Sequence, residues 1–194
     1  MNLAFPVLLL VLNLMGYLSR QMYFIDDLKK TTKQNITKTN TYKSDRLLFY
    51  IGKSTNKNIV AYYINLLPDG RINSDEPIHP CWKLYQKGQE GAESELSFLQ
   101  RKFAYGIECK SIDKQNNNYV AKLVCYKRKN IYLKKLNKES NYKAYIEINS
   151  QLAVLNKIFI TIDGGSLLCP NITKIEISGQ NVTSGLEVSE IIIP

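Results

Sequence analysis

The feature that most limits the fold of this chain is a succession of short segments rich in Val, Ile, Tyr and Leu, separated by turn residues. From residue 101 onward, several of these segments recur at intervals of about 8–12 residues, which is typical of consecutive antiparallel strands. They lie at 103–109, 119–126, 131–136, 142–148, 152–162, 172–178 and 186–193. The strand–helix–strand alternation of a parallel sheet is not visible. The pattern predicts an all-β, mainly antiparallel fold, either a sandwich or a barrel.

A β-hairpin at 100–126 is predicted to be the central element. Its first arm alternates apolar and polar residues, which places four side chains on one face: Phe103, Tyr105, Ile107 and Cys109. The polar run 113–118 has the composition of a turn. Because Cys109 and Cys125 lie at equal distances from its middle, near Asn117, they are expected to face each other across the hairpin.

The first half of the chain contains fewer strands and one helix. Strands are predicted at 47–51, 59–67 and 81–85, the last of them burying Trp82. A Pro-Asp-Gly turn is predicted at 68–70, and a tight turn at 149–150. One short inserted helix is expected within 88–100, because Leu96 and Leu99 have helical spacing and acidic residues occupy its first turn.

The N-terminal segment predicts export. Residues 1–19 carry no charged side chain, and 3–18 form a nearly unbroken apolar run. As a hydrophobic helix this run measures about 24 Å, less than the roughly 30 Å of a bilayer core. It fits a signal peptide, or alternatively an uncleaved membrane anchor. Residues 20–44 are interpreted as a polar linker and 45–194 as a single β-rich domain, located in the periplasm or cell envelope.

The formal net charge of +9 does not by itself indicate a nucleic-acid partner. The lysines are scattered, the sequence contains no block of five or six like charges, and it shows no nucleic-acid motif. We interpret the charge as a lysine-rich solvated surface.

Catalytic and metal-binding patterns are weak. The single histidine, His79, lies two residues from Cys81, with Pro80 between them, so a hydrolase would have to use His79 with Cys81 or a carboxylate. The acidic residues after Asp69 depart from the calcium-loop pattern, because Gly70 occupies the second position. The sequence therefore favours a non-enzymatic role without a metal or cofactor.

Several spaced features resemble a known family. The chain has a strand ending in Lys53-Ser54, then Asn56-x-Asn58, a strand ending in Asn65, Asp69-Gly70, a Pro-containing segment leading to Trp82, and the stretch from Arg101 to Gly106. Together they resemble the bacterial family called domain of unknown function 4833, associated mainly with Bacteroidetes. The resemblance covers roughly residues 45–194 and implies an exported domain. The chain departs from the pattern at Gly52-Lys53, where Arg is expected before Ser, and in its four cysteines.

The candidate binding residues are the polar and aromatic side chains within this resemblance: Lys53, Asn56, Asn58, Trp82, Arg101 and Tyr105. Polar residues at strand ends either line the mouth of a ligand site or satisfy turn backbone groups. With 13 Tyr and one Trp, the expected function is binding of a small apolar or saccharide ligand. The alternative is a structural or interaction protein of the envelope that uses a sheet edge or face.

The four cysteines lack the spacing of a metal or redox site. In an exported chain they are predicted to form two disulfides, Cys109–Cys125 across the hairpin and Cys81–Cys169. The alternative is a reduced set of small buried side chains.

Overall fold

Eleven strands make up one mixed sheet in the residues that the computed structural model describes, which are 44–85, 88–113, 115–136, 141–165 and 170–194. The predicted N-terminal helix, the linker up to residue 43 and Cys169 lie outside these residues. The described residues belong to one compact unit, Thr41–Pro194. Within them, no helix has the length and apolar character needed to cross a membrane.

The strands follow the chain closely. A 3-10 turn, Ser44–Arg46, leads into the sheet. The strands are β1 (Leu47–Lys53), β2 (Asn56–Ile64), β3 (Ile78–Leu84), β4 (Ala92–Glu95), β5 (Ile107–Asp113), β6 (Asn118–Leu123), β7 (Tyr126–Lys134), β8 (Lys143–Ile148), β9 (Gln151–Gly165), β10 (Pro170–Asn181) and β11 (Glu187–Ile192).

Strand β9 organises the sheet because it pairs with three strands. β10 pairs antiparallel with β9 over almost its whole length. β8 pairs antiparallel with the start of β9, and β1 pairs parallel with its middle, from Lys157 to Ile160. A strand has two edges, so β8 and β1 must share the edge that β10 leaves open. Two four-stranded leaves, β1–β4 and β5–β8, therefore diverge from one edge of β9.

The sheet curls into a half-barrel rather than a sandwich or a closed barrel. The main core lies inside the curl, and both leaves contribute to it: Phe49, Val60, Tyr62 and Ile78 from the first, and Ala121, Leu133, Ala144 and Ile146 from the second. The predicted all-β, mainly antiparallel class is confirmed. The β1–β9 pair is a parallel exception that the sequence pattern did not predict.

The predicted tight turns are present where backbone geometry requires special residues. Asn149 and Ser150 both have positive φ, 48° and 62°, and connect β8 to β9 as a two-residue hairpin loop. Gly70 has φ of 82° after Pro68 and Asp69. Turn residues with these backbone preferences can be recognised locally, which explains why the sequence located them.

The predicted helix within 88–100 is wrong in its position. Residues Ala92–Glu95 form the edge strand β4, where Glu93 lies opposite Lys83. Helix α1 begins at Phe98, because Ser97 and Gln100 make a reciprocal capping box. α1 (Phe98–Gln100) continues into a π-helical turn (Arg101–Tyr105), and we call these two elements together the helical bridge.

The central hairpin is present, but its first arm starts later than predicted. Phe103 and Tyr105 belong to the helical bridge, and β5 begins at Ile107. Cys109 lies opposite Ala121 instead of Cys125, because β6 ends at Leu123 and Cys125 falls in the next turn. The expected register is therefore wrong. Cys81, Cys109 and Cys125 are free thiols in this structure.

Candidate functional site

The helical bridge connects the outer strand of one leaf, β4, to the outer strand of the other, β5. Two hydrogen bonds hold it on the first leaf. The Tyr62 hydroxyl of β2 donates to the Tyr105 carbonyl at 2.7 Å, and the Trp82 Nε1 of β3 donates to Gln100 Oε1 at 3.2 Å. Tyr62 is fully buried, so burial raises the pKa of its hydroxyl well above the ordinary value and keeps it a donor.

Four charged side chains tie the helical bridge to the strands beside it, and we call them the ion quartet: Glu76, His79, Glu95 and Arg101. His79 Nδ1 lies 3.1 Å from Glu76 Oε2, and His79 Nε2 lies 3.1 Å from Glu95 Oε1. Arg101 Nη1 donates to Glu76 Oε1 at 3.0 Å, and its Nη2 donates to Glu95 Oε2. Each carboxylate thus bridges the same two cations.

The quartet favours a protonated His79. A neutral imidazole has one N–H, so one of the two facing carboxylates would meet a lone pair. Burial acts to lower the pKa of His79, but the hydrogen bonds and charges of Glu95 and Glu76 outweigh it and raise that pKa above 6.5. The hydrogen bond from His79 lowers the pKa of Glu95 in turn, despite partial burial. Two carboxylates, one guanidinium and one imidazolium then balance in charge.

A cleft of about 330 Å³ opens beside the quartet, where the two leaves approach each other. Its walls come from residues 74–80, from the end of the helical bridge, and from the start of β5. The polar lining includes Ser74, Asp75, Glu76, Arg101 and Glu108, and the apolar lining includes Pro77, Ile78, Pro80, Ile107 and Val124. This volume lies in the range of small-molecule sites.

The lining of the cleft is acidic although the chain as a whole is basic. Three carboxylates and one guanidinium lie on its walls. Glu76 is paired within the quartet, and Glu108 contacts Lys127 Nζ at 2.6 Å on the surface. In the described part of the chain, the Asp75 carboxylate has no ion pair. A cationic group would therefore be attracted to this cleft.

Cys109 contributes a thiol to the same cleft. Burial raises its pKa to about 12, more than the nearby Ile78 backbone lowers it. The thiol is therefore uncharged at neutral pH and is not an activated nucleophile. It acts as part of the apolar wall.

Three of the predicted binding residues form one contiguous cluster. Trp82 and Tyr105 meet edge to face, with ring centroids 5.1 Å apart. The Lys53 ammonium lies 5.1 Å from the Trp82 ring centroid. Burial lowers the pKa of Lys53. Because Trp82 also donates a hydrogen bond to Gln100, this cluster supports the helical bridge beside Arg101. Arg101 is the one of the predicted binding residues that lines the cleft.

Asn56 and Asn58 satisfy backbone groups. Asn56 Oδ1 accepts from the Asn58 N–H at 3.1 Å, and Asn58 Oδ1 accepts from the Tyr85 N–H at 2.9 Å. Neither residue lines the cleft. Their contacts match the turn-supporting alternative that the sequence left open.

Several of the tyrosines that suggested a ligand site pack in the interior. Tyr62, Tyr63 and Tyr145 are among the largest fully buried side chains. The cleft lining contains no tyrosine and no tryptophan among the described residues. This cleft is therefore not a tyrosine-lined site.

His79 and Cys81 share one face of β3, as two residues of a strand must. Both ring nitrogens of His79 face carboxylates, and its side chain is 9% exposed. Burial raises the pKa of Cys81 to about 12. This geometry offers neither a free base nor a thiolate. Among the described residues, no group of three or more His, Cys, Asp or Glu side chains is arranged so that it could hold a metal ion.

Sequence reasoning missed Glu76 and Glu95 as partners of Arg101. Glu95 Oε2 and Arg101 Nη2 lie close because β4 ends just before the capped helix turn. Glu76 is distant in sequence, and the tertiary fold brings it into contact with Arg101 and His79. The Ser97-x-x-Gln100 capping box was a readable signal for the start of that turn. No local pattern brings Glu76 to Arg101.

The comparison with protein families agrees with this architecture over most of the chain. The family model described as Domain of unknown function (DUF4833) matches residues 49–191. The chain belongs to this family. The match covers β2 to β10 completely and most of β1 and β11, together with the helical bridge and all four members of the quartet. The chain matches no curated protein and no solved structure.

Proposed function

We propose that this member of the DUF4833 family is an exported, non-enzymatic domain of the cell envelope that binds a small ligand. The apolar run at 3–18 supports export, either as a cleaved signal peptide or as a membrane tether. A ligand-binding role finds support in the cleft between the two leaves, which has the volume of a small-molecule site and a mixed polar and apolar lining.

The observation that carries the proposal is the acidic lining of this cleft in a chain of net charge +9. A ligand with an amine would be attracted by Asp75 and Glu108. Its apolar or sugar frame would pack on Pro77, Ile107 and Val124. Because Arg101 and Glu76 are held in the quartet, the cleft is organised before the ligand arrives, which lowers the ordering cost of binding.

Calorimetric titration with paired probes tests the proposal. Amino sugars and alkyl monoamines are compared with the matching neutral sugars and alcohols, using the full chain. We expect the amines to bind and the neutral partners to bind at least about tenfold more weakly, as the loss of one charge-assisted contact predicts. The double variant Asp75→Asn/Glu108→Gln should lose the amine preference.

The matched control is Asp163→Asn/Glu187→Gln, which removes two exposed carboxylates outside the cleft. It should bind like the unmodified chain. If no amine binds, or if both double variants lose affinity equally, the cleft is not a site for cationic ligands.

A second candidate function is a structural or interaction role through a sheet edge. In the described sheet, β11 pairs with β10 alone, so its other edge has no strand partner, although Asn149 Nδ2 donates to the Ser189 carbonyl of β11. Leu186, Ile191 and Ile193 on or beside it are exposed. Sedimentation velocity of the full chain and of Ile191→Lys tests this role. Self-association that the substitution removes would support it, and a concentration-independent monomer would count against it.

A further inference from the structure

The helical bridge carries an exposed aromatic surface. Phe98 is 71% exposed and Phe103 is 63% exposed, although most large apolar side chains of the described domain pack in the core. Lys102 lies between them in sequence. We call Phe98, Lys102 and Phe103 the aromatic patch.

The π-helical turn brings these side chains together. In a π-helix the hydrogen bonds join residues five apart, so such residues lie one turn apart on the same side. Phe103 lies in this turn, and Phe98, five residues earlier, lies in α1 directly before it. The Lys102 ammonium lies 5.7 Å from the Phe98 ring centroid and 5.2 Å from the Phe103 ring centroid. One cation therefore lies within reach of both rings.

The patch is held on a rigid support. Tyr62 and Trp82 bond to the helical bridge from the sheet, and Arg101, next to Lys102, is fixed by two carboxylates. Presenting the two rings to a partner therefore needs little further ordering. In the described residues, no carboxylate pairs with Lys102, so its charge is available to a partner, whereas the charge of Arg101 is neutralised.

We propose that the aromatic patch docks on an anionic lipid bilayer. The two Phe rings lie at the boundary between headgroups and acyl chains, and the Lys102 ammonium contacts lipid phosphates. Aromatic rings beside a lysine are the composition of interfacial membrane anchors, because the rings leave water while the lysine stem keeps its charge at the headgroups. The net charge of +9 adds long-range attraction to an anionic surface.

The size of the patch favours a bilayer over a protein partner. Two phenylalanines and a lysine expose far less surface than the roughly 1,200 Å² that a stable protein interface buries. Shallow insertion of two rings gives weak, reversible membrane binding by itself. Stable binding then needs a second attraction, such as the positive charge of the chain.

Site-specific tryptophan quenching tests the docking in the full chain. Phe103→Trp is mixed with phosphatidylcholine vesicles containing phosphatidylglycerol, with bromine on the acyl chains. Leu186→Trp, at a residue 68% exposed beside β11, is the matched control. The natural Trp82 is present in both variants, so its background is the same. We expect bromine to quench the tryptophan at 103 and not the tryptophan at 186.

This readout is specific to the patch even if residues 3–18 bind the vesicle by themselves, because quenching depends on which surface enters the acyl region. Adding Lys102→Gln should reduce quenching in anionic vesicles, whereas adding the control Lys57→Gln should not. Replacing Phe98 by Ser in the Phe103→Trp chain should weaken vesicle partition roughly tenfold through the patch.

Equal quenching at 103 and 186, or none at either, would overturn the proposal. Equal quenching with and without phosphatidylglycerol would overturn the requirement for anionic lipid. Self-association that the double variant Phe98→Ser/Phe103→Ser removes, without any quenching at 103, would identify a second copy of the chain as the partner instead. Circular dichroism of each variant checks that the sheet is intact.

Discussion

At the residue scale, His79 is the clearest case of a side chain defined by its neighbours. As the single histidine, it is the residue that a hydrolase would have to use, with Cys81 or a carboxylate, although the sequence favours a non-enzymatic role. The fold places a carboxylate at each ring nitrogen, 3.1 Å away on both sides. This environment raises the pKa of His79 and favours the imidazolium, which donates from both ring nitrogens. His79 therefore has a structural role in this fold. Its contacts are with Glu95 on β4 and with Glu76 in the segment before β3.

The raised pKa of His79 predicts a pH-dependent stability. Its stabilising contribution is complete below the pKa in the unfolded chain, about 6.5, and is lost as the pH rises through the higher folded pKa. The free energy of unfolding should therefore fall as the pH increases above about 6.5. Urea unfolding at a series of pH values from 6 to 9 measures this, and His79→Gln should flatten the slope.

At acidic pH, the free energy of unfolding changes with pH in the opposite direction. The hydrogen bond from His79 lowers the pKa of Glu95, so the stability that Glu95 contributes is present above its unfolded pKa and is lost as the pH falls through the folded value. His79→Gln should weaken this acid dependence as well. An unchanged profile in that variant would show that the quartet does not couple protonation to folding.

At the element scale, the helical bridge depends on a close approach at its end. A Cβ at Gly106 would lie 1.8 Å from the Arg101 carbonyl oxygen, and 3.3 Å from a Val124 methyl group. The Gly106 carbonyl also accepts the Val124 N–H at 3.0 Å. The chain turns from the π-helical turn into β5 at this point, and backbone atoms cannot move aside as a flexible side chain can.

Gly106→Ala is therefore expected to lower the free energy of unfolding by about 2–4 kcal/mol, as overpacking against backbone does. Gly52→Ala is the control, because its added Cβ meets the Phe159 side chain at 3.2 Å, and that ring can shift. The control should lose less stability. Thermal and urea unfolding compare the two variants, and equal losses would contradict a special role for the Gly106 junction.

At the scale of the whole molecule, two leaves attached to one edge of β9 meet again on the far side. There the helical bridge and the quartet join β4 to β5, and Cys109 contacts the backbone of Ile78. β3 and β5 are distant in sheet order, so the curl of the sheet creates this seam and its cleft. The ligand proposal and the membrane proposal both use surfaces at this seam.

The rate of thiol modification reports whether the ion quartet holds the two leaves together where β3 and β4 approach β5. At pH 8, iodoacetamide should modify Cys125 before Cys109, because Cys125 is exposed and Cys109 is half-buried. Burial raises the pKa of both thiols, and it raises the pKa of Cys109 to about 12. Arg101→Met removes both guanidinium ion pairs and should speed modification of Cys109 relative to Cys125. Peptide mass mapping after timed alkylation measures both sites. Lys127→Gln, which removes an exposed pair with Glu108, is the control and should leave the ratio unchanged.

The same mapping under non-reducing conditions addresses the predicted Cys81–Cys169 disulfide, because Cys169 lies outside the described residues. A peptide joined through these two cysteines would establish the pairing. Free Cys81 and Cys169 would favour the reduced alternative. The structure already has Cys81 as a buried free thiol.

The sequence by itself determined the all-β class, most strands, the turns at 68–70 and 149–150, and the family, since alternation and turn chemistry are local properties. Of the binding residues predicted from the sequence, Arg101 lines the cleft, and Trp82 and Tyr105 contact each other at the helical bridge. The tertiary structure alone decided the helix position, the parallel β1–β9 pair and the partners of Arg101. Glu95 lies on β4 because pairing with β3 outweighs a weak helical spacing. Glu76 reaches Arg101 across 25 residues because the sheet curls, and curl depends on contacts that no short stretch of sequence contains.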